Sequence, residues 1–151
     1  MINLRKVTVE DAENLLKWKN EEDTRRNSIV TGEIIKLENH LEWLKKTLTD
    51  PTVQFWIIED DGVPVGDLRL NHGETESEIS IRLDKSCRGK GLATAVIGMV
   101  ECPKRLVAKI VAHNLASMRV FISNGYKPYE YICGKYDPVL DKTINYYIFK
   151  K

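Results

Sequence analysis

The stretch Cys87–Thr94, with the sequence CRGKGLAT, determines how the rest of this chain is interpreted. Alternating apolar and polar residues before it predict a strand over Glu78–Leu83, and an apolar run after it predicts a helix over Leu92–Val100. Gly89 and Gly91 permit backbone conformations closed to other residues, so several N–H groups can converge where the helix begins. Two basic residues add positive charge, and the sequence therefore predicts a phosphate-binding loop.

Two common classes of phosphate-binding loop do not fit this stretch. Nucleoside triphosphatases need Ser or Thr directly after the loop lysine to bind magnesium, and here Gly91 follows Lys90. The dinucleotide fingerprint needs G-x-G-x-x-G near the start of a βαβ unit, with an acidic residue beyond the helix. Neither a nucleoside triphosphatase nor a dinucleotide-binding protein is expected.

Composition sets broad limits on the chain. Its 151 residues, 42% of them hydrophobic, predict one domain over residues 1–151. A net charge of +1 argues against a dedicated nucleic-acid binder, and no apolar run has membrane-spanning length. The start lacks the apolar core of a signal peptide, and three cysteines (Cys87, Cys102 and Cys133) show no metal-type spacing. These features predict a cytoplasmic protein with reduced thiols and no metal.

The loop resembles the acetyl-CoA loop of the GNAT superfamily of N-acetyltransferases. The family pattern Arg/Gln-x-x-Gly-x-Gly/Ala appears here as RGKGLA over Arg88–Ala93. Downstream, Arg105–Ala112 predicts a strand and His113–Tyr126 a helix that ends at Gly125. This order is similar to the GNAT segment in which a strand precedes Asn-x-x-Ser, a helix and Gly-Phe or Gly-Tyr. Two motifs in the right order are more specific than one, and the resemblance covers nearly the whole chain.

The remaining patterns predict a mixed α+β (α/β) fold. A strand begins the chain, and a helix that Thr8 caps in the Thr-x-x-acid pattern runs to Asn20. The order β-α-α-β-β-β-α-β-α-β-β gives a central mixed sheet of about seven strands with helices on both faces. The expected segments are strands over 2–7, 53–59, 63–70, 76–83, 105–112, 126–133 and 144–149, helices over 9–20, 38–48, 92–101 and 113–124, and charged or turn-forming links over 21–28 and 134–138. The GNAT fold has this order, and in it the strands before the two motifs separate around the pantetheine arm of the coenzyme.

The resemblance implies acetyl-CoA as co-substrate. Backbone groups of the strand before the loop would contact pantetheine, the loop would hold the pyrophosphate, and an asparagine that is also a good helix cap would bind the pantetheine arm. The residues in these roles are Ile81, Arg82, Leu83, Arg88, Gly89, Lys90, Gly91, Leu92, Ala93 and Asn114.

Acetyl transfer to an amine requires a base for the ammonium and an acid for the departing thiolate. By resemblance, Glu78 would be the base, directly or through water, with Glu76 in reserve. Ser117 matches a family serine near the CoA sulfur, whereas many GNAT enzymes use a tyrosine where this chain has Phe121. The acid is then Ser117, a nearby tyrosine such as Tyr126, or water.

The region of the first two helices forms the acceptor site in GNAT enzymes. Its Trp-x-Asn, Arg, Ile, His-x-x-Trp spacing looks like that of bacterial nucleotide-sugar amine N-acetyltransferases of the pseudaminic-acid pathway type. Arginine suits a diphosphate and tryptophan can stack on a ring. The alternatives are that the arginines are solvated and that both tryptophans fill the core, and for the tryptophans the core is favoured. The implied acceptor-binding residues are Trp18, Arg25, Arg26, His40 and Trp43.

The expected function is transfer of an acetyl group from acetyl-CoA to the primary amine of a small amino sugar, nucleotide-linked by resemblance. Acetylation of protein N-termini, as in the ribosomal-protein branch, or of polyamines is the alternative within the class. A non-catalytic CoA-binding regulatory module is the alternative from another class, because Phe121 replaces the usual tyrosine. A monomer or a homodimer is expected, without nucleic-acid or membrane partners.

Overall fold

The computed structural model of the protein describes residues 1–30 and 32–151. Its helices are α1 (Ala12–Asn20), α2 (Glu22–Arg26), α3 (Leu37–Thr49), α4 (Leu92–Gly98) and α5 (Leu115–Ser123). Its strands are β1 (Ile2–Lys6), β2 (Val53–Asp60), β3 (Val63–His72), β4 (Glu76–Leu83), β5 (Arg105–Val111), β6 (Lys127–Ile132), β7 (Tyr136–Asp137), β8 (Lys142–Thr143) and β9 (Tyr146–Lys150). No helix within these two ranges is long and apolar enough to cross a membrane.

Seven strands form one sheet in the order β1-β2-β3-β4-β5-β9-β6. Neighbouring strands are antiparallel except β4 and β5, which are parallel. The predicted mixed sheet is confirmed. The last strand, β9, inserts between β5 and β6, and the short strands β7 and β8 pair only with each other.

The sheet separates two hydrophobic cores. Side chains alternate across a strand, so Ile57 and Ile58 are both fully buried but on opposite faces. On one face, α1 and α3 pack through Leu15, Trp18 and Leu44. The other face packs against α4 and α5. Burial of each such side chain contributes about 1.5–3 kcal/mol, and the predicted placement of helices on both faces is confirmed.

Three segments differ from the sequence prediction. The charged link 21–28 contains the helix α2, whose first turn is capped by the Glu21 carboxylate accepting from the Asp23 amide. The helix α4 ends at Gly98, before the predicted end near residue 101, and the chain then turns towards Pro103. The link over 134–138 contributes to the β7–β8 hairpin, where the buried Asp137 carboxylate accepts from the Gly32 amide at 2.7 Å.

Candidate functional site

The predicted phosphate loop has the geometry that its glycines suggested. Gly89 and Gly91 adopt φ values of +75° and +78°, and Gly91 immediately precedes α4. A Cβ added at either glycine would have no neighbouring atom within 4 Å. Backbone conformation, and not lack of space, therefore explains why glycine occupies both positions.

The Arg88 side chain anchors this loop instead of projecting from it. Its guanidinium donates to the Leu83 carbonyl oxygen at 3.0 and 3.2 Å and forms an ion pair with Glu21. Burial opposes ionisation of Glu21, but the hydrogen bonds and charge of Arg88, together with hydrogen bonds from the Asp23 amide and Thr24, outweigh burial and lower the pKa of this carboxyl. Arg88 thus joins the loop to α2 and to the end of β4, while Lys90 is the exposed cation of the loop.

The strands β4 and β5 separate beside the loop. They pair only from Glu76 to Glu78, although β4 continues to Leu83 and β5 to Val111. The Asp84 amide donates to the Val65 carbonyl oxygen on β3, at 2.7 Å. Since hydrogen bonding alternates along an antiparallel strand, the backbone of Arg82 faces β3 and the backbone of Ile81 faces the opening.

This alternation reduces the number of main-chain groups of Ile81, Arg82 and Leu83 that could contact pantetheine. Arg82 is committed to β3 through its main chain, and its side chain forms an ion pair with Asp67 at 3.2 Å. The Leu83 carbonyl oxygen is already bonded by Arg88. Of these three residues, Ile81 therefore presents both of its main-chain groups, and Leu83 only its N–H, to the opening between β4 and β5.

Asn114 and Ser117 lie together at the start of α5, where β5 has left β4. The Asn114 side-chain oxygen accepts from the Ser117 amide at 3.2 Å, which makes Asn114 the cap of this helix. Both residues are half-buried. Capping uses only the amide oxygen, so the Asn114 nitrogen is still available as a donor.

Phe121 and Tyr126 belong to the hydrophobic core. Their rings meet edge to face at 4.9 Å, and both side chains are buried. Burial raises the pKa of Tyr126 to about 12, and its hydroxyl has no hydrogen-bond partner among the residues that the structure describes. Tyr126 is therefore not suited to donate a proton to the thiolate. Of the expected candidates for this role, Ser117 and water remain.

Glu78 marks the point where the two strands part. It is the last β4 residue paired with β5, and its carboxylate lies 3.3 Å from the Lys109 ammonium. The side chain is 34% exposed, so it is partly open to solvent. Glu76 lies two residues earlier on β4, and its carboxylate lies 2.9 Å from the Lys150 ammonium.

The five predicted acceptor residues do not gather in one open site. Trp18 is 3% exposed and donates its indole N–H to Asp84 at 3.0 Å. His40 is 1% exposed, donates to the Ala12 carbonyl oxygen at 3.1 Å, and has its pKa lowered to about 4, chiefly by burial. Both rings are core side chains without an exposed face. The prediction that Trp18 and His40 bind substrate is therefore wrong.

The other three acceptor candidates have different surroundings. Arg25 donates to the carbonyl oxygens of Asn20 and Gly32, so its side chain connects the end of α1 to Gly32. Arg26 is exposed and pairs with Glu22 on the same helix. Only Trp43, which stacks on His40 at 5.7 Å, remains partly open next to charged side chains.

Sequence reasoning missed these charged side chains. The Lys19 ammonium lies 2.9 Å from the centre of the Trp43 ring, and the Arg69 guanidinium carbon lies 5.6 Å from it. Burial first, then the nearby arginines, lowers the pKa of Lys19 to about 7. The alternation of side chains along strands could have predicted that Asp67, Arg69 and Arg82 share one face of the sheet. It could not have predicted that Lys19 of α1 lies next to them.

An open depression of about 450 Å³ also adjoins the phosphate loop. It lies on the β1 side of α4 and is bordered by Met1, Asp60, Cys87 and Lys90. The loop therefore has two neighbours, this depression and the opening between β4 and β5. Of the two, the opening is the one that also adjoins Glu78, Asn114 and the free backbone of Ile81.

Three solved structures have the same fold. A spermidine N-acetyltransferase from Vibrio cholerae, solved with CoA and spermine, superposes with a TM-score of 0.86 at 12% identity, over 99% of this chain and 94% of that one. A ribosomal-protein-alanine N-acetyltransferase from Brucella melitensis gives 0.79 at 21% identity, over 99% and 98%. An N-acetyltransferase from Staphylococcus aureus Mu50 gives 0.80 at 20% identity, over 100% and 98%.

At these identities the likeness establishes the fold and not the substrate. A comparison with curated protein sequences finds no match. The family profile described as "Acetyltransferase (GNAT) domain" matches residues 2–127, which is most of the chain. The protein therefore belongs to the GNAT acetyltransferases.

Proposed function

We propose that this acetyltransferase moves an acetyl group from acetyl-CoA directly to a primary amine, and that the acceptor is an amino sugar, nucleotide-linked as in the enzymes it resembles. The observation that carries the proposal is the separation of β4 from β5 after Glu78, directly beside the loop of Gly89 and Gly91. That arrangement offers an anion site and an adjoining slot with free backbone groups.

Coenzyme binding is assigned to the backbone. In this proposal the N–H groups of Gly89–Ala93 and the Lys90 ammonium bind the pyrophosphate. The main chain of Ile81 and the Asn114 side-chain nitrogen bind the pantetheine arm. Support comes from the left-handed glycines and from the unbonded strand edge of β4.

The chemical step removes two protons from the nitrogen and gives one to the sulfur. Glu78, acting directly or through water, removes a proton from the ammonium, and the free amine then attacks the thioester carbon. As the C–S bond breaks, the nitrogen gives its second proton to water, and Ser117, which that water reprotonates, or a water hydrogen-bonded to it gives a proton to the thiolate. Because a carboxylate is a weak base for an ammonium, a water relay or desolvation of the amine must assist.

The test follows free-thiol release from acetyl-CoA with three groups of amines. UDP-linked and free amino sugars form the first group, peptides with free N-termini the second, and spermidine the third. Release with an amino sugar and loss of that release in Glu78→Gln would support the proposal. Release only with peptides or spermidine would overturn the sugar assignment. Tight CoA binding without release would favour a non-catalytic module.

A further inference from the structure

The sheet face that packs against α1 and α3 carries more cations than anions. Lys19 on α1, Arg69 on β3 and Arg82 on β4 lie around the Asp67 carboxylate, and the Glu78 carboxylate also acts on Arg69. We call these three cations the basic cluster. Asp67 is 2% exposed and forms an ion pair with Arg82, so its negative charge is already balanced by that arginine.

Neither Lys19 nor Arg69 forms a salt bridge within residues 1–30 and 32–151, and the nearby carboxylates of Asp67 and Glu78 act on them only from beyond salt-bridge distance. Both lie against the Trp43 ring, and the Arg69 Nε is buried without a hydrogen-bond partner in the same ranges. Burial and the like charge of Arg82 lower the pKa of each. Two crowded, poorly solvated cations destabilise a fold unless an anion accompanies them.

The basic cluster borders the opening where acetyl transfer is proposed. Arg69 lies directly across from Ser80, which is exposed and stands two residues beyond Glu78 on β4. The cluster is on the face opposite α4 and its phosphate loop. A group bound there would therefore belong to the acceptor and not to the pyrophosphate of the coenzyme.

We infer that the basic cluster binds an anionic group, a carboxylate or a phosphate, carried by the acceptor amine. The inference rests on the proposed acetyl transfer and narrows its substrate class. Arginine is suited to bidentate contact with either anion, and an added anion would compensate both unpaired cations. Polyamines would be repelled from the same place by like charge.

The experiment compares kcat/KM for two matched pairs of amines. One pair is glucosamine 6-phosphate and glucosamine, and the other is alanine and ethylamine. We expect the anionic member of at least one pair to be preferred about tenfold or more, and the preferred pair to identify the anion. Arg69→Gln and Lys19→Met should remove the preference, Arg69→Lys should restore part of it, and Lys46→Met, an exposed lysine of α3, should not change it.

Two results would overturn the inference while leaving acetyl transfer intact: equal use of both members in each pair, or a preference that both substitutions leave unchanged. If no amine is acetylated, the proposed function fails, and binding is then measured separately. Calorimetry with inorganic pyrophosphate in excess CoA should show binding that Arg69→Gln weakens about tenfold. Absence of binding, or equal binding by the variant, would reject the anion site.

Discussion

The two sides of the opening between β4 and β5 are built in different ways. The loop side depends on backbone conformation, with two left-handed glycines, an unbonded strand edge and the Arg88 anchor. The other side depends on side chains from α1, α3, β3 and β4 that meet around Trp43. Backbone sites tolerate changes in neighbouring side chains, whereas a side-chain cluster changes its specificity with one substitution. In the proposed function, the loop side would bind the coenzyme and the clustered side would select the acceptor.

The largest expected effect is on the chemical step at the boundary between the two sides. Glu78→Gln should lower kcat for acetyl transfer about a hundredfold or more, because the amide cannot accept the proton. The affinity for CoA, measured by calorimetry, should stay the same.

Glu76→Gln is the matched control, since both glutamates lie on β4 and pair with a lysine. Equal kcat values for the two variants would remove Glu78 from the mechanism.

The loop itself is tested by a glycine substitution. Gly91→Ala should weaken CoA binding about tenfold, because an L-residue at φ +78° costs about 1–2 kcal/mol and shifts the start of α4. Gly62→Ala provides the control, since Gly62 has φ +81° and equal free space but lies in the β2–β3 turn. If both variants bind CoA as the wild type does, the loop has no role in binding.

The anchor of the loop is tested by a double-mutant cycle. Arg88→Gln and Glu21→Gln should each lower the free energy of unfolding by about 1–2 kcal/mol, because each leaves a part-buried charged partner unmatched. The double variant should lose less than the sum of the two losses, as measured by urea unfolding. Strict additivity would mean that the ion pair contributes nothing to stability.

The smallest effect concerns the basic cluster. Lys19→Met should raise the free energy of unfolding by an amount on the order of 1 kcal/mol at pH 6, because it removes a buried charge next to two arginines. Since the Lys19 pKa falls from 10.5 to about 7 on folding, the unfolded chain binds more protons between these values, and wild-type stability rises there. The advantage of the variant should therefore shrink between pH 7 and 10.

Lys46→Met, at an exposed position, should show neither the gain nor its pH dependence. A constant advantage of Lys19→Met across this range would contradict the charge argument.

The fold and the loop were predictable because their signals are local. The alternation in β4, the glycines around Lys90 and the Asn114 cap each act within a few residues of the chain. The turn between the predicted strands 53–59 and 63–70 is local as well, because Asp61 and Gly62 both have positive φ, as a type I′ hairpin turn requires.

The acceptor side was less predictable because it depends on contacts between distant segments. Trp18 and His40 matched a family spacing, but the hydrogen bond of Trp18 to Asp84 and that of His40 to Ala12 show that both are structural. Lys19 carries no motif, and only the packing of α1 on β3 brings it to Arg69. The short helix α2 likewise depends on Arg88, more than sixty residues away, holding Glu21.

The central claim is that the loop and the opening beside it hold the coenzyme. It is tested most directly by titrating the ¹⁵N-labelled protein with CoA and following backbone amide shifts. We predict the largest shifts at Ile81, at Gly89–Ala93 and around Asn114, with little change at Asp61 and Gly62. No shifts, or shifts confined to the depression at Met1 and Asp60, would contradict the claim.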